Sequence, residues 1–483
     1  MQGQAPGGKI PAETLIAVQQ SLAEAGVPVR YYQLDAFWYY AQGPDWKLCA
    51  EDWTPERQLF PNGLAALSRS MASPLQKDGM GMMLYIPEVC ANNSYSSNFT
   101  FYKSFQHIPT TGPIALVSAQ ESERFYGALF DWGLANGAMV AFEIDFMDYK
   151  LLQFPVLLEN VGLAEQWQVG IGTAAKARNL SVQLCMEVPA ELMTTLLSDS
   201  ITNARGSGDG GANVAGFAAS SLLMSALGIS PFTDNFFSGM GKDGGKSASL
   251  RTALAIMSRG PVGFGDEVGK FNATLLKRTC RTDGILLQPS ETAVQLDSPK
   301  YCADGCHSLV TSTVSRIKVD GVFWSFGIIM AFSAQPGVTP LPSSQVRFAE
   351  LPALVSSGQD YMYWKLDDPA CASGGNARSC LQKIDATHPA HVVDSDSSGL
   401  AIFLVAPVMQ GWVLLGEVSK LVPISEDRIA ESATTASGLS LQVVGAAQEK
   451  VEMLAANIAK PGGKLKTFAT TVGNDGTATI VVK

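Results

Sequence analysis

The sequence has little charge, few histidines and no long apolar run. Charged residues make up 16% of its 483 residues and hydrophobic residues 46%. This balance excludes a disordered or fibrous protein and allows a large buried core. No stretch approaches the roughly 20 apolar residues of a transmembrane helix, so we expect no membrane partner. Residues 1–10 have neither a basic segment nor an apolar one, and no signal peptide is expected there.

The sign of the charge and the spacing of the histidines exclude further classes of protein. The formal net charge is −10, which disfavours nucleic acid as a partner. The four histidines show no metal-ligand spacing, and no G-x-G-x-x-G motif follows the first expected strand. We therefore expect neither a metal nor a cofactor. A neutral, polyhydroxylated substrate is compatible with this composition.

The cysteines and glycosylation sequons leave the cellular compartment open. Cys302 and Cys306 are close in sequence, as are Cys371 and Cys380, and each pair forms either a disulfide or two free thiols. N-x-S/T sequons occur at Asn92, Asn98, Asn179 and Asn272. A chain of this length contains a few sequons by chance, so these features only hint at a secretory or vacuolar location.

Short apolar runs alternate with amphipathic stretches through the first 300 residues. The strand candidates are 29–35, 79–89, 138–146, 181–186, 202–209, 229–235 and 261–267. Such alternation predicts a parallel sheet covered by helices. The acids at or near the ends of these candidates are Asp35, Glu88, Asp145, Glu187, Asp209, Asp234 and Asp266. A (β/α)₈ barrel brings strand ends to one face, so it explains this pattern better than an open sheet.

After about residue 300 the pattern changes to β-rich segments separated by Asp, Gly and Ser turns. We predict two domains: a (β/α)₈ barrel over residues 1–300 and an antiparallel β-sandwich over 301–483. The first barrel strand, expected before a helix at 11–26, is not visible. It is either missing or atypical in sequence.

Two of the strand-end acids are candidates for glycosidic bond cleavage. Retaining cleavage needs two carboxyl groups about 5–5.5 Å apart, one as nucleophile and one as acid and base. Asp145 ends an apolar strand, and strand alternation places it on the same face as Glu143. Asp209 lies in a Gly-rich segment beside Arg205, which could bind a carboxylate or a sugar hydroxyl. Taken singly, each aspartate is better explained as a turn or cap residue.

Aromatic residues follow Asp35 within one predicted loop. They are Trp38, Tyr39, Tyr40, Trp46 and Trp53. Aromatic rings stack on the apolar faces of sugars, so this loop is a candidate for carbohydrate binding. Packing against the rim of the barrel explains each ring equally well.

Five segments occur in order along the first 300 residues. They are QLDAFWY (33–39), FEIDF (142–146), ARGSGD (204–209), SPFTDNF (230–236) and GPVGFGDEVGKFNATLLKRTCRTDGILLQP (260–289). Together they resemble glycoside hydrolase family 36, in the α-galactosidase clan, and especially its raffinose-synthase and seed-imbibition branch. The resemblance implies that Asp145 is the nucleophile, that Asp209 is the acid/base, and that Asp35 contacts the sugar.

The clan's nucleophile strand usually reads Lys-x-Asp, whereas this chain has Glu143 at the lysine position. We expect a retaining glycosidase that acts on α-galactosides or related α-linked oligosaccharides. The substrate-binding candidates are Asp35, Trp38, Glu143, Glu187, Arg205, Asp234 and Asp266. Two alternatives stay open: a raffinose-synthase-like transglycosylase, and a catalytically inactive carbohydrate-binding protein.

Overall fold

The chain divides into two compact units. The first comprises Met1–Arg205 and Met224–Ser230, and the second comprises Gly206–Leu223 and Pro231–Lys483. The computed structural model describes residues 10–42, 49–104, 113–239, 247–297, 308–333, 344–355, 358–371, 373–392, 399–460 and 462–483. The domain boundary near residue 300 stays a prediction.

The first unit contains alternating strands and helices. Its strands are β1 (Tyr31–Leu34), β2 (Tyr39–Gln42), β3 (Cys49–Pro55), β4 (Gly81–Ile86), β5 (Val89–Cys90), β6 (Phe101–Ser104), β7 (Ile114–Val117), β8 (Met139–Ile144), β9 (Ser181–Leu184) and β10 (Ile201–Arg205). Its helices are α1 (Pro11–Glu24), α2 (Gly63–Ser70), α3 (Ser122–Asn136), α4 (Met147–Gln153), α5 (Pro155–Glu159), α6 (Leu163–Lys176) and α7 (Pro189–Thr194). The helix predicted at 11–26 is observed as α1, which ends two residues earlier.

A parallel sheet runs in the order β1–β4–β8–β9–β10–β11, where β11 is Ser230–Phe232 and begins at the last residue of the first unit. All six residues of β4 are buried, which explains why its sequence is apolar without alternation. In the second unit, Phe236 and Phe264 form an isolated parallel bridge, and Phe264 lies within the seventh predicted strand, 261–267. The prediction of a barrel-type parallel sheet is therefore confirmed.

The first part of the barrel sequence also forms a second, smaller sheet. Its order is β2–β3–β5–β7–β6, and a disulfide between Cys49 and Cys90 joins β3 to β5. The sequence analysis predicted an aromatic loop here and did not predict the disulfide, because 41 positions separate its two cysteines. Trp53 in β3 is 1% exposed, so this sheet contributes to the core.

The second unit is mostly β structure. Its further strands are β12 (Val294–Gln295), β13 (Ser308–Val319), β14 (Val322–Ser333), β15 (Ser344–Val346), β16 (Tyr361–Lys365), β17 (Gln382–Ile384), β18 (Ala390–Val392), β19 (Leu400–Met409), β20 (Trp412–Gly416), β21 (Ile429–Thr435), β22 (Gly438–Val444), β23 (Lys450–Asn457), β24 (Leu465–Thr471) and β25 (Thr477–Val482). The helices after α7 are α8 (Val214–Ala226), α9 (Ala248–Met257), α10 (Ala273–Lys277), α11 (Pro352–Val355) and α12 (Ala377–Cys380).

The main sheet of the second unit has the order β24–β23–β20–β19–β14–β13–β21–β22–β25. Neighbouring strands pair antiparallel except β13 and β21, which meet in parallel at Val319 and Ser432. In β14, Ile328 and Ile329 belong to different apolar clusters. Adjacent strand residues face opposite sides of a sheet, so β14 is buried on both faces. The prediction of an antiparallel β domain after the barrel is confirmed.

The described cysteines occur in both oxidation states. Cys371 and Cys380 form a disulfide, whereas Cys185 and Cys280 are buried free thiols. The predicted pair Cys302 and Cys306 lies outside the described residues, as does Trp46. Among the described helices, none is both long and apolar enough to cross a membrane.

Candidate active site

Asp145 follows directly after β8, at the carboxyl end of the parallel sheet. Its amide donates to the carbonyl of Ile86 on β4 at 3.0 Å, which continues the strand pairing. The side chain is held twice: the Tyr85 hydroxyl donates to Oδ2 at 2.8 Å, and the Phe146 amide donates to Oδ1 at 2.6 Å. Asp145 is 8% exposed. This carboxylate is therefore buried and held in one orientation. It lies at the carboxyl end of β8, where the sequence predicted it.

Two donors beside Asp145 stay protonated at neutral pH. Burial, followed by the charge of Asp145, raises the pKa of Tyr85 well above its ordinary value. The same two causes, in the same order, raise the pKa of the Cys185 thiol well above its ordinary value. Tyr85 therefore donates its hydrogen bond across the whole physiological pH range. In the pairing of β4 with β8, Tyr85 lies opposite Glu143. The sequence does not reveal this neighbour, because it does not give the register between the two strands.

Both strand ends at this edge turn sharply. Phe146, after β8, has φ 55° and ψ 40°, and Met186, after β9, has φ 55°. Residues other than glycine adopt this left-handed conformation rarely and at a cost, and such strain is concentrated at functional sites. The turn at Phe146 directs the chain from Asp145 into α4.

A buried lysine lies behind Asp145. The Lys150 ammonium donates to the carbonyl of Pro87 at 2.8 Å and to the carbonyl of Asp145. It also lies 3.5 Å from Oε1 of Glu88, and both side chains are 3% exposed. Burial raises the pKa of Glu88 to about 7, even though Lys150 opposes the shift. The sequence analysis included Glu88 only as a strand-end acid and missed Lys150.

Glu187 and Arg205 both lie in the first unit, close enough for the arginine charge to affect the Glu187 carboxyl group. Burial raises the pKa of Glu187 to about 8, while the positive charge of Arg205 lowers it and the charge of Asp145 raises it. The buried Oε2 atom of Glu187 has no hydrogen-bond partner among the described residues. The raised pKa favours the protonated form of Glu187 at neutral pH. A buried acid with a raised pKa is typical of sites that bind or protonate a substrate.

Glu143 is part of a buried polar row across the sheet. Gln33 on β1 and Gln183 on β9 each donate to its carboxylate, Gln183 at 2.9 Å. Asn203 on β10 donates to the side-chain carbonyl of Gln183. Glu143 is 3% exposed. Because both carboxylate oxygens already accept hydrogen bonds from protein amides, this geometry favours a structural role over the predicted sugar contact.

The structure corrects the prediction for Trp38. Its ring is 0% exposed, stacked on Trp132 and in edge contact with Trp53. The indole nitrogen donates to the carbonyl of Tyr85 at 3.3 Å. A ring enclosed on these sides has no face for a sugar, so Trp38 belongs to the core. Asp35, in contrast, is exposed, and its Oδ1 accepts from the amide of Ala36 at 2.6 Å.

Asp209 is exposed in a tight loop of the second unit. The amide of Gly208 donates to the carbonyl of Ala212 at 2.9 Å, and the amide of Ala212 donates back at 3.2 Å. Gly210 and Gly211 close the loop with φ 66° and 71°, a conformation that glycine adopts freely. The Gly-rich segment therefore places Asp209 in a short, defined loop.

The two other predicted acids of the second unit support loops. Oδ2 of Asp234 accepts from the amide of Gly210 at 2.9 Å, so Asp234 holds the loop that carries Asp209. Asp266 accepts from the amide and hydroxyl of Ser238 at 2.9 and 2.7 Å, and from the amide of Gly239 at 2.8 Å. Both oxygens accept hydrogen bonds from this loop, so the geometry favours a structural role for Asp266.

The described residues contain no group of three or more His, Cys, Asp or Glu side chains placed to hold a metal ion. No family model matches the sequence, and no curated protein matches it. Solved structures do resemble it. An α-galactosidase from Saccharomyces cerevisiae, in a structure with raffinose, has a TM-score of 0.51 at 10% identity, covering 82% of this chain and 94% of that one.

α-Galactosidase I from Mortierella vinacea is similar to the same degree, with a TM-score of 0.50 and 11% identity. The match covers 82% of this chain and 93% of that protein. At these identities the likeness concerns the fold. The chain therefore shares its fold with these two α-galactosidases.

Proposed function

We propose that the protein is a retaining glycoside hydrolase that acts on α-galactosides or related α-linked oligosaccharides. The observation that carries the proposal is the setting of Asp145: a buried carboxylate at a strand end, oriented by Tyr85 and by a strained turn. Asp145 attacks the anomeric carbon. The fold shared with two α-galactosidases supports this reaction class.

Asp209 is the proposed acid/base. It protonates the leaving oxygen in the first step and activates water in the second, as retention requires. Its exposed position in a glycine-closed loop, supported by Asp234, suits a group that exchanges protons with solvent. The proposal requires Asp145 and Asp209 to act on one glycosidic bond.

The sugar is held by Glu187, Arg205 and Asp35 in this proposal. Glu187 is protonated at neutral pH and can donate to a hydroxyl, whereas Arg205 donates and Asp35 accepts. An oligosaccharide presents hydroxyls that match all three roles. Trp38, Glu143 and Asp266 are left out because they are engaged in the core or in turns.

Asp145→Asn tests the nucleophile. Turnover of an aryl α-galactoside falls by several orders of magnitude, and added azide restores product as the glycosyl azide of inverted configuration. The matched control is Asp131→Asn, which removes an exposed carboxylate paired with Arg178 in the same unit. Unchanged turnover in Asp145→Asn excludes the assignment.

Asp209→Asn separates the acid/base from the nucleophile. Its rate depends steeply on the leaving group, because an activated aryl group departs without a proton. Azide then gives the product of retained configuration. If Glu187→Gln shows this signature and Asp209→Asn does not, the acid/base is Glu187.

Product analysis discriminates the alternatives. Incubation with galactinol and sucrose yields free galactose from a hydrolase and a larger oligosaccharide from a transglycosylase. Sugar binding in calorimetry, without turnover of any α-glycoside in a panel, instead identifies an inactive carbohydrate-binding protein.

A further inference from the structure

We propose that Lys150 is a positioning residue for Asp145: its buried ammonium group holds the main-chain turn that presents the carboxylate. The inference rests on the proposed function for its catalytic consequence. Lys150 and Asp145 both lie in the first unit, as do all the contacts described below.

The contacts of Lys150 connect two strand ends. The ammonium donates to the carbonyl of Pro87, just after β4, and to the carbonyl of Asp145, just after β8. These are adjacent strands in the parallel sheet. Tyr85, on β4, holds the Asp145 side chain. Lys150 thus fixes the main chain of the same residue whose carboxylate Tyr85 orients.

The turn that Lys150 holds is a strained one. The carbonyl of Asp145 belongs to the peptide that precedes Phe146, whose φ of 55° is unfavourable for a residue with a side chain. The amide of Lys150 also donates to the carbonyl of Phe146 at 3.2 Å. Both ends of the Lys150 residue therefore bind the turn, and a strained conformation persists only where the surroundings hold it.

Three acidic side chains lie around Lys150. Glu88 is 3.5 Å from its ammonium group. Burial raises the pKa values of Asp148 and Glu191, and the charge of Lys150 opposes both shifts. The contact with Asp145 is to its main-chain carbonyl. Burying an ammonium group is costly unless it is paired and hydrogen-bonded. Here two of its hydrogen bonds go to carbonyls at the strand ends, which places the cation where it controls the turn.

Lys150→Met keeps the aliphatic stem and removes the charge. We expect kcat on an aryl α-galactoside to fall about 10- to 100-fold while KM changes less than about threefold. The reason is that a small misplacement of a reacting group lowers the rate of the chemical step more than it weakens substrate binding. The matched control is Lys176→Met, which breaks an exposed ion pair with Asp199 in the same unit and leaves kcat unchanged. A folded Lys150→Met variant with kcat within twofold of wild type overturns the proposal.

The double variant Lys150→Met/Glu88→Gln separates positioning from a charge effect of the released Glu88. Positioning predicts that kcat stays low in the double variant. Recovery of kcat to the level of Glu88→Gln alone overturns the proposal. If Lys150→Met does not fold, the double variant, which removes both members of the ion pair, is used for all measurements.

Hydrogen exchange gives a readout that does not depend on turnover. Just after the turn, the amide of Met147 donates to the carbonyl of Cys185 and the amide of Asp148 donates to the carbonyl of Met186. Both acceptors directly follow β9. We expect faster exchange in a peptide covering 145–149 of the variant, with α6 unchanged. Unaltered exchange there overturns the positioning role. If the wild type cleaves no α-glycoside, the proposed function fails, and the exchange result alone decides the role of Lys150.

Discussion

Each unit buries a cation beside acidic side chains, and the two clusters differ in how many of their polar atoms are hydrogen-bonded. In the second unit, Arg428 is 1% exposed and donates at 2.7 Å to Glu417, to Glu449 and to the carbonyl of Val444. In the first unit, Lys150 donates to two carbonyls. Neither oxygen of its acidic neighbour Glu88 has a well-formed hydrogen bond to a described residue.

The difference is visible in the protonation of the acids. Burial alone would raise the pKa of Glu449, but hydrogen bonds from Arg428 bring it below its ordinary value. Burial raises the pKa of Glu417 despite the same arginine. Around Lys150 in the first unit burial dominates, and it raises the pKa values of Glu88 and Glu191 to about 7. Unsatisfied, titratable groups beside a candidate nucleophile indicate function, whereas a saturated cluster indicates stability.

Breaking the saturated cluster has the largest expected effect. Arg428→Met leaves Glu417 and Glu449 buried without their cation, so the free energy of unfolding falls by about 3–5 kcal/mol. Urea denaturation followed by fluorescence measures it. Arg347→Met, which removes a partly exposed pair with Glu350, is the control and costs less than about 1 kcal/mol. A loss below that of the control contradicts the comparison.

The acids of the first unit make stability depend on pH. The pKa of Glu88 rises from 4.5 in the unfolded chain to about 7 in the folded one, so the folded state binds the extra proton. Its contribution is complete below pH 4.5 and is lost as pH rises through 7, by up to about 3 kcal/mol. Glu88→Gln flattens this decline in melting temperature between pH 5 and 8.

The control for that measurement is Glu123→Gln, which removes an exposed carboxylate of the same unit. It leaves the slope of stability against pH as in the wild type. Equal slopes for Glu88→Gln and the wild type contradict a protonated Glu88 in the folded state.

The smallest effect is expected for the polar row through Glu143. Glu143→Leu leaves the side-chain amides of Gln33 and Gln183 without their acceptor, at a cost of about 1–3 kcal/mol. Thermal unfolding measures the loss. In Glu143→Gln one acceptor remains, so the loss is smaller. If Glu143→Leu unfolds at the same temperature as the wild type, the result argues against a structural role and favours the predicted sugar contact for this residue.

Local sequence patterns predicted most strands of the parallel sheet, but they missed the smaller five-stranded sheet and the surroundings of the site. The apolar run ending at Asp145 and the glycines after Asp209 predicted where these carboxylates stand in the chain. Trp38 was misread because an aromatic-rich loop has the same composition whether its rings face solvent or the core. The loop contacts of Asp266 were missed because its partners, Ser238 and Gly239, lie 28 and 27 positions earlier.

The sequence by itself determined the succession of strands in the parallel sheet, the change from parallel to antiparallel structure, and the acids at the strand ends. These follow from the short periods of hydrophobicity along the chain, which are local. Only the tertiary structure decided which side chains donate hydrogen bonds to Asp145. Tyr85 lies 60 positions away, and Lys150 reaches back across a left-handed turn. Such contacts depend on the register between strands and on the turn that follows them, because burial and hydrogen bonding act in space.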